Sequence, residues 1–353
     1  MIKYVPFLKA KQGELNAMSE LDSKVRSLIC PLFDFPRRDD GYTAGNFQTT
    51  AERIAKSLAR HLGTDREYYF DNRDLDESIS LNAKHNYQYI LEQFSSTPVI
   101  PVIGIDRTGA HIEAVASLRQ AGMLSGNTIA CRFSQEDFDD FNVVQSEIAT
   151  KLGRTVGLFK DVDLILDCRF CTALTPAHTA PILLAFSQKF CKEYSVRRVV
   201  VAGSSIPASA ADLAELRSER EIQRTETKIY NVVRSSHGHA PVVFGDYTTV
   251  SPDYSDVALP PEILQNIMVA KLTYTFDESH YVIRGSKIKG NPRQYFGMAA
   301  TLCRKPFFRA GYSTGDDFLA ERSRGRGSNC TPCTVIKPSV VSHISYMARG
   351  AKI

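Results

Sequence analysis

The sequence contains no long apolar run. No window approaches the roughly 18 to 20 uninterrupted apolar residues that a membrane-spanning helix requires. The first residues, MIKY, are not followed by the apolar core of a secretory signal peptide. We therefore expect a cytoplasmic protein with no membrane contact.

Several catalytic signatures are also missing. There is no phosphate-binding P-loop, no GxGxxG after a predicted strand, no HExxH and no GxSxG. Their absence argues against the common classes of nucleotide hydrolase, dehydrogenase, zinc protease and α/β-hydrolase. The net charge is only +4 over 353 residues, so any basic surface for nucleic acid would have to be local.

Cysteine is present but shows no clear pattern. The eight cysteines are scattered, which is typical of reduced core residues rather than of a disulfide framework. Cys330 and Cys333 form one CxxC, with Cys303 and His343 as further candidate zinc ligands. Because no second pair matches the first, the sequence favours an ordinary turn and leaves any metal unassigned.

Short apolar segments that end in polar residues recur along the chain. In the clearest of them, DLILDCR at residues 163–169, an apolar run delivers Asp167 and Arg169 at its end, as expected of a strand buried on both faces. Seven similar segments end at Lys9, Asp34, Asp71, Asp106, Arg132, Ser204 and Asp246. Their mean spacing is about 34 residues, the length of a βα unit that crosses back over a parallel sheet.

Eight such units predict an α/β fold, a (β/α)8 TIM-type barrel over residues 1–250. In this fold the carboxyl ends of the strands surround one mouth, where the chemistry of barrel enzymes is found. We expect the following residues to converge there: Lys9, Asp34, Asp71, Asp106, Arg107, Arg132, Asp167, Arg169, Ser204 and Asp246.

Carboxylates near cations suit two kinds of chemistry. They can hold a divalent metal such as Mg²⁺ or Mn²⁺, or they can perform acid/base catalysis on a phosphate-bearing ligand. Alternatively, the charges can simply neutralise one another. Ser204, between Gly203 and Ser205 and ahead of a predicted helix, is a candidate phosphate contact, against the simpler reading of a tight turn.

The βα period ends near residue 250. Beyond it, the composition of residues 250–261 predicts a turn-rich connection. Polar and apolar residues alternate over residues 271–284, which predicts two strands of a hairpin. Residues 251–353 therefore predict an α+β appendage that packs on the barrel as a cap.

Several motifs resemble one family. They are YVPFLKAKQGEL from Tyr4, PLFDFP from Pro31, FGDY from Phe244, YVIRG from Tyr281, Gly315-Asp316 and His343-Ile344. Together they resemble the "beta family protein" group of phages and bacterial mobile or defence loci, over nearly the whole chain. The resemblance implies a setting of phage–host conflict. It adds these motif positions as site candidates: Lys9, Lys11, Gln12, Asp34, Asp246, Tyr247, Arg284, Gly285, Asp316 and His343.

These expectations combine into one hypothesis. A cytoplasmic barrel protein acts in phage–host conflict on a nucleotide or nucleic-acid phosphate, as a phosphodiesterase-like hydrolase. Asp34, Asp71, Asp167 and Asp246 would supply base or metal-ligand functions. Substrate contacts would come from Lys9, Lys11, Arg132, Arg169, Ser204, Tyr247, Arg284 and His343.

The competing hypothesis is a non-catalytic immunity or adaptor subunit. Its mouth would recognise a ligand or a partner protein, such as the product of a neighbouring defence gene. The sequence does not determine the oligomeric state.

Overall fold

A computed structural model describes residues 1–254 and 268–351. Eight parallel strands close into a barrel in the spatial order β1-β11-β9-β8-β7-β6-β3-β2. They are β1 Tyr4–Lys9, β2 Leu32–Asp34, β3 Tyr68–Asp71, β6 Val99–Ile103, β7 Thr128–Ser134, β8 Asp161–Phe170, β9 Val196–Ser204 and β11 Val242–Asp246. The predicted (β/α)8 barrel is confirmed, and each predicted apolar segment forms one of its strands.

Helices cover the outside of the barrel. They are α1 Gln12–Glu20, α2 Ser23–Leu28, α3 Ala44–Leu62, α4 Asn86–Glu92, α5 Gly109–Gln120, α6 Gln135–Phe138, α7 Phe141–Lys151, α8 Gly153–Val156, α9 Pro176–Glu193, α10 Ala210–Leu213 and α11 Thr225–Ser236. Side-chain caps begin several of them; Thr43, for example, accepts from the amide of Asn46 at the start of α3. A short hairpin, β4 Ser80–Leu81 and β5 Lys84–His85, lies in the loop after β3.

The side chains of each barrel strand point alternately inward and outward, which divides the core into two parts. Val5, Tyr69, Ile165 and Val200 belong to a cluster inside the barrel. The alternate residues, such as Leu164, pack outward against the helices in a larger cluster. Successive side chains on a strand point to opposite faces, so residue parity decides whether a polar side chain at a strand end lies inside the mouth or outside the barrel.

The C-terminal part is α+β, as predicted. An antiparallel sheet has the order β10-β13-β12, from β10 Ser218–Gln223, β12 Val269–Phe276 and β13 Ser279–Lys287. The predicted hairpin is thereby confirmed. Three helices accompany the sheet: α12 Gln294–Cys303, α13 Thr314–Ser323 and α14 Pro332–Ala348. Of the predicted connection at 250–261, residues 255–261 lie outside the described residues.

The two parts of the chain are interleaved. Strand β10 precedes residue 250 yet pairs with β13 of the C-terminal sheet. Helix α14 follows residue 250 yet packs on α1, and its Val340, Ile344 and Met347 join the core around the barrel. The boundary at residue 250 therefore stays a prediction. None of the helices in the described ranges is long and apolar enough to cross a membrane.

Candidate functional site

A buried arginine lies at the centre of the barrel mouth. Arg132 is fully buried, and its Nη1 donates to Asp34 at 2.8 Å and to Asp71 at 2.7 Å. Its Nε and Nη2 donate to one oxygen of Asp167 at 3.1 and 2.6 Å, and Nη2 also lies 2.8 Å from the Tyr247 hydroxyl. The structure thus brings together five of the residues that the sequence assigned to the site.

Strand parity explains this convergence. Each charged residue of this group lies two positions after a residue of the interior cluster, and so on the same face of its strand. The pairs are Leu32 and Asp34, Tyr69 and Asp71, Ala130 and Arg132, and Ile165 and Asp167. The four charged side chains therefore point inward at the upper end of the barrel.

Burial and neighbouring charge act differently on the three carboxyls. Burial would raise the pKa of Asp71, but Arg107 and Arg132 hold it below its usual value. Burial would likewise raise the pKa of Asp167, which Arg132 and Arg169 hold low. At Asp34 burial prevails over Arg132, and the pKa rises to about 6. Asp34 is therefore the carboxyl of this group that can exchange a proton near neutral pH.

A second arginine fixes Asp71 from the other side. Arg107 Nη2 donates to both oxygens of Asp71 at 2.9 Å, and its Nη1 donates to Asp106 at 2.9 Å. Arg73 also pairs with Asp106, at 3.1 Å. Arg107 was predicted to lie in the mouth without an assigned role, and the structure shows that it pairs with Asp71.

Residues that follow β11 lie over the rim of the mouth. Lys9 Nζ lies 3.6 Å from the centroid of the Tyr254 ring, Lys11 Nζ lies 4.8 Å from it, and the Arg37 guanidinium carbon lies 5.0 Å from it. The Tyr254 hydroxyl accepts from the Arg37 amide at 3.0 Å. Cations within about 6 Å of an aromatic face are attracted by its quadrupole, so one ring gathers three cations.

Arg169 reaches the same rim from β8. Asp167 and Phe170 flank an irregularity in the pairing of β8 with β9, and Arg169 within it has φ of 48°. A bulge of this kind redirects a side chain. Arg169 Nη2 accordingly lies 2.7 Å from Asp253, which contributes a second contact between the rim and the segment after β11.

A buried acid beside Lys9 was not among the predicted site residues. Glu14 in α1 is 4% exposed and accepts from the Lys9 amide at 3.0 Å. Burial raises its pKa to about 7. It belongs to the same YVPFLKAKQGEL motif as Lys9, so the motif was the signal in the sequence that could have identified it.

Asp246 does not join the Arg132 group, which corrects the expectation that all strand-end carboxylates converge. It follows outward-facing Phe244 by two residues, so it points away from the barrel axis. Its carboxylate accepts from the Tyr4 hydroxyl and from Arg224, and lies 3.0 Å from His343 Nε2. Burial would raise the pKa of Asp246, but His343 and Arg224 hold it below its usual range.

The Asp246 group joins the barrel to the C-terminal part. His343 lies on α14, and its Nδ1 is 2.6 Å from the Thr275 hydroxyl on β12. Arg224 also pairs with Glu226 at 3.1 Å. All of these side chains, including Tyr4, are buried. Their polar groups contact one another. His343 therefore attaches α14 to the barrel and does not join the Arg132 group in the mouth, where it was predicted as a substrate contact.

The remaining candidates have other partners. Arg284 donates to the Ala214 carbonyl at 2.7 Å and belongs to the C-terminal sheet, away from the Arg132 group. Ser204 is buried; its hydroxyl lies 3.4 Å from the Val250 carbonyl and 3.1 Å from the Ile206 amide. The next helix, α10, has only four residues, too few for a strong anion site at its N-terminus.

An open cleft lies beside the mouth. It has a volume of about 480 Å³ and is formed by the loops after β2 and β3. Arg37 and Arg38 line one part of it, while Asp74, Asp76 and Ser78 line another. Arg37 belongs both to this cleft and to the cations around Tyr254, so the cleft leads to the rim.

The mouth does not have the form of a metal site. In the two described ranges no group of three or more His, Cys, Asp or Glu side chains could hold a metal ion. Asp34, Asp71 and Asp167 instead surround the Arg132 guanidinium, which occupies the position that a cation would take. Cys330 is buried and Cys333 is exposed, and both are free thiols.

Comparison with known proteins adds one finding. A search of curated proteins gave no match to this chain. The profile of the family described as Beta protein matches residues 4–349, which include the mouth, the Asp246 group and the C-terminal sheet. The resemblance noted in the motifs is therefore confirmed, and the chain belongs to the Beta protein family.

Proposed function

We propose that this protein binds a phosphate-bearing ligand, a nucleotide or a nucleic-acid phosphate, at the barrel mouth, in the setting of phage–host conflict that the family resemblance implies. The observation that carries this proposal is the set of Lys9, Lys11 and Arg37 around Tyr254. In the described ranges no carboxylate forms an ion pair with the Lys9 or Lys11 amine; besides the Tyr254 ring, the Lys9 amine contacts the Asp253 carbonyl at 3.5 Å. Arg37, by contrast, also pairs with Asp39 at 3.8 Å. The rim therefore carries positive charge that an anion can neutralise.

The buried groups below the rim suit a supporting role. Burial, followed by the nearby Lys11 charge, lowers the pKa of Lys9 against the pull of Glu14. Such a site favours a negative ligand, whose charge would raise the pKa of this amine again. Arg132 is held by three carboxylates and has no spare capacity for a ligand, so its role in the proposal is to shape the floor of the mouth.

The proposal includes hydrolysis, with Asp34 as the proton acceptor. At pH 7 a carboxyl with a pKa of about 6 is mostly ionised and can take a proton from a water that attacks the phosphorus. As the phosphorus–oxygen bond to the leaving group breaks, the carboxyl can return that proton to the leaving oxygen. Lys9 and Lys11 would stabilise the charge that develops on the phosphate oxygens. No step is assigned to a metal, because the carboxylates that could bind one already surround Arg132.

A non-catalytic binding subunit is the second candidate. It is favoured because Arg132 and its three carboxylates neutralise one another. Of these carboxyls only Asp34 has a pKa near neutrality, so few groups remain for acid/base chemistry. In this case the rim recognises a phosphate-bearing ligand, or a partner protein, without chemistry.

Thermal unfolding of the full chain tests binding. We would measure the melting temperature with nucleotides, cyclic nucleotides, short DNA and short RNA, each with and without Mg²⁺ or Mn²⁺. A ligand that binds the folded state at 100 times its Kd stabilises it by about 2.7 kcal/mol. We expect one class to raise the melting temperature, and Lys11→Gln to reduce that increase.

Lys24→Gln is the matched control, because Lys24 is an exposed lysine on the neighbouring α2. It changes the net charge equally and should leave the increase intact. If no ligand shifts the wild type, or if both variants lose the shift equally, the mouth does not bind phosphate specifically. Turnover of the identified ligand by wild type but not by Asp34→Asn would select the enzyme, and binding without turnover would select the subunit.

A further inference from the structure

A second, smaller pocket lies where the barrel meets the C-terminal part. It is bounded by the turn after β11, by β12 and by α14, and its volume is about 170 Å³. Most of its wall is apolar and comes from Val250, Val269, Val335 and Ile336. A cavity of roughly 150 Å³ in another protein accommodates benzene, so this pocket has room for a compact organic molecule.

The pocket contains polar groups without partners. Thr273 is 4% exposed, and its hydroxyl has no hydrogen-bond partner among the described residues. Lys271 also lines the pocket, and no described residue forms an ion pair with its amine. Burial lowers the pKa of this lysine to about 8, and no charged neighbour contributes to that shift. Because a buried donor without a partner is costly, the Thr273 hydroxyl indicates a ligand. The half-buried Lys271 on the same strand supplies a positive charge to the pocket.

The register of β12 directs both donors into the pocket. Ala270, Leu272 and Tyr274 pack into the core between the sheet and α12 and α13. Lys271 and Thr273 alternate with them and therefore face the opposite side, toward α14 and the end of the barrel. The two side chains are neighbours on one face of one strand, so a single small group can accept from both.

We propose that this pocket binds a small monocarboxylate with an apolar body, such as a branched short-chain acid or an aromatic acid. The carboxylate accepts from the Lys271 amine and the Thr273 hydroxyl, and the body packs against Val250, Val335 and Ile336. This site is separate from the barrel mouth and does not depend on the function proposed there.

The chemistry of the walls selects this class of ligand. One amine neutralises one negative charge, and the apolar surroundings disfavour a second charge that would lack a partner. A dicarboxylate or a phosphate dianion is therefore a poor fit. A neutral ligand of the same shape would fill the volume but would leave the lysine without a counter-charge.

Binding to the full-length chain tests the proposal. Calorimetric titration at pH 7 would use benzoate, isovalerate and acetate, with benzamide as the neutral counterpart of benzoate. A hydrogen bond to a charged group contributes enough to make benzoate bind about 10- to 100-fold more tightly than benzamide. Acetate, which has almost no apolar body, should bind more weakly than isovalerate.

Variants identify the donors. Lys271→Met should abolish the preference for benzoate over benzamide, and Thr273→Val should weaken benzoate binding without changing the net charge. Lys287→Met is the matched control, because Lys287 is an exposed lysine at the end of the paired strand β13; it should leave binding unchanged.

The ligand-free variant provides an independent check. If Lys271 has no internal counter-charge, Lys271→Met should melt at the same temperature as the wild type or higher, because a desolvated amine has been removed. A large decrease would show that the lysine is paired within the chain and would overturn the proposal. Absence of binding by every acid, or equal binding of benzoate and benzamide, would overturn it as well.

Discussion

Replacing Arg132 with methionine removes the central charge of the mouth while keeping an apolar side chain of similar length. The guanidinium makes contacts of 2.6 to 2.8 Å with Asp34, Asp71 and Asp167. Without it, Asp167 keeps the Tyr247 hydroxyl as a donor, and Asp71 keeps Arg107. Asp34 has no other side-chain partner in the described ranges, so the variant leaves buried negative charge that is only partly compensated.

The magnitude follows from the loss of one partner of a buried ion pair, which costs about 3–5 kcal/mol. Unfolding entropy is about 2.1 cal/mol/K per residue, so 353 residues correspond to about 0.7 kcal/mol/K. The melting temperature should therefore fall by about 4–7 °C at neutral pH.

The effect should depend on pH in a definite direction. In the wild type the pKa values of Asp71 and Asp167 are lowered by folding. Their contribution to stability is therefore present above pH 4 and is lost as the pH falls through the folded-state values. In Arg132→Met, burial and mutual repulsion should raise these values, so protonation would stabilise the variant as the pH falls. The difference in the free energy of unfolding should thus shrink from pH 8 to pH 5.

Chemical denaturation at pH 8, 6.5 and 5 measures this difference. Arg154→Met is the control, since Arg154 pairs with Glu113 at the surface, where both side chains are more than half exposed; such a pair contributes about 0–1 kcal/mol. A loss at Arg132 no larger than at Arg154, or a loss that grows toward pH 5, would refute the reasoning.

Three further predictions concern single residues. The folded-state pKa of Asp34 is raised to about 6, so protonation of Asp34 should stabilise the wild type by on the order of 2–3 kcal/mol as the pH falls from 6 to 4. Denaturation curves of Asp34→Asn should lack this gain. An unchanged pH profile in the variant would contradict the prediction. Asp246→Asn weakens the attachment of His343, and limited proteolysis should show faster cleavage around α14, with a loss of about 2–4 kcal/mol; protection equal to the wild type would count against this role. Gly315→Ala would place a Cβ 2.2 Å from the carbonyl oxygen of Pro338. The free energy of unfolding, measured by chemical denaturation, should therefore fall by an amount typical of overpacking, about 1–3 kcal/mol. A neutral result would show that α13 and α14 can separate without cost.

Much of the barrel could be predicted because the signal is local. A strand buried on both faces needs consecutive apolar residues, and a polar residue marks the point where it leaves the core. The segment that ends at Asp167 shows this pattern directly, and the spacing between segments indicates the crossover helices. Strand β10 was not predicted, because SEREIQ at residues 218–223 has little apolar character and is a strand only through its pairing with β13.

The candidate site could be predicted in part. Asp34, Asp71, Arg132 and Asp167 were predicted to lie at one mouth, since parallel strands of a barrel must end around it, and the structure places these four side chains in contact. Asp246 was assigned there by the same rule and lies outside the barrel, because the pattern of residues 242–246 does not reveal which alternate residues face inward. Tyr254 gave no signal at all, as its effect depends on the three cations that the fold places around it.

The sequence by itself determined the number of barrel strands, their order along the chain and the residue types at their ends, because hydrophobic periodicity and chain length act within each βα unit. The tertiary structure alone decided which charges neutralise one another. Arg132 holds three carboxylates, Asp246 holds the last helix, and Lys271 lies beside a pocket without a described counter-charge. These outcomes depend on side-chain direction and on contacts between residues 35 to 339 positions apart in the chain. A local sequence pattern carries no information over such separations.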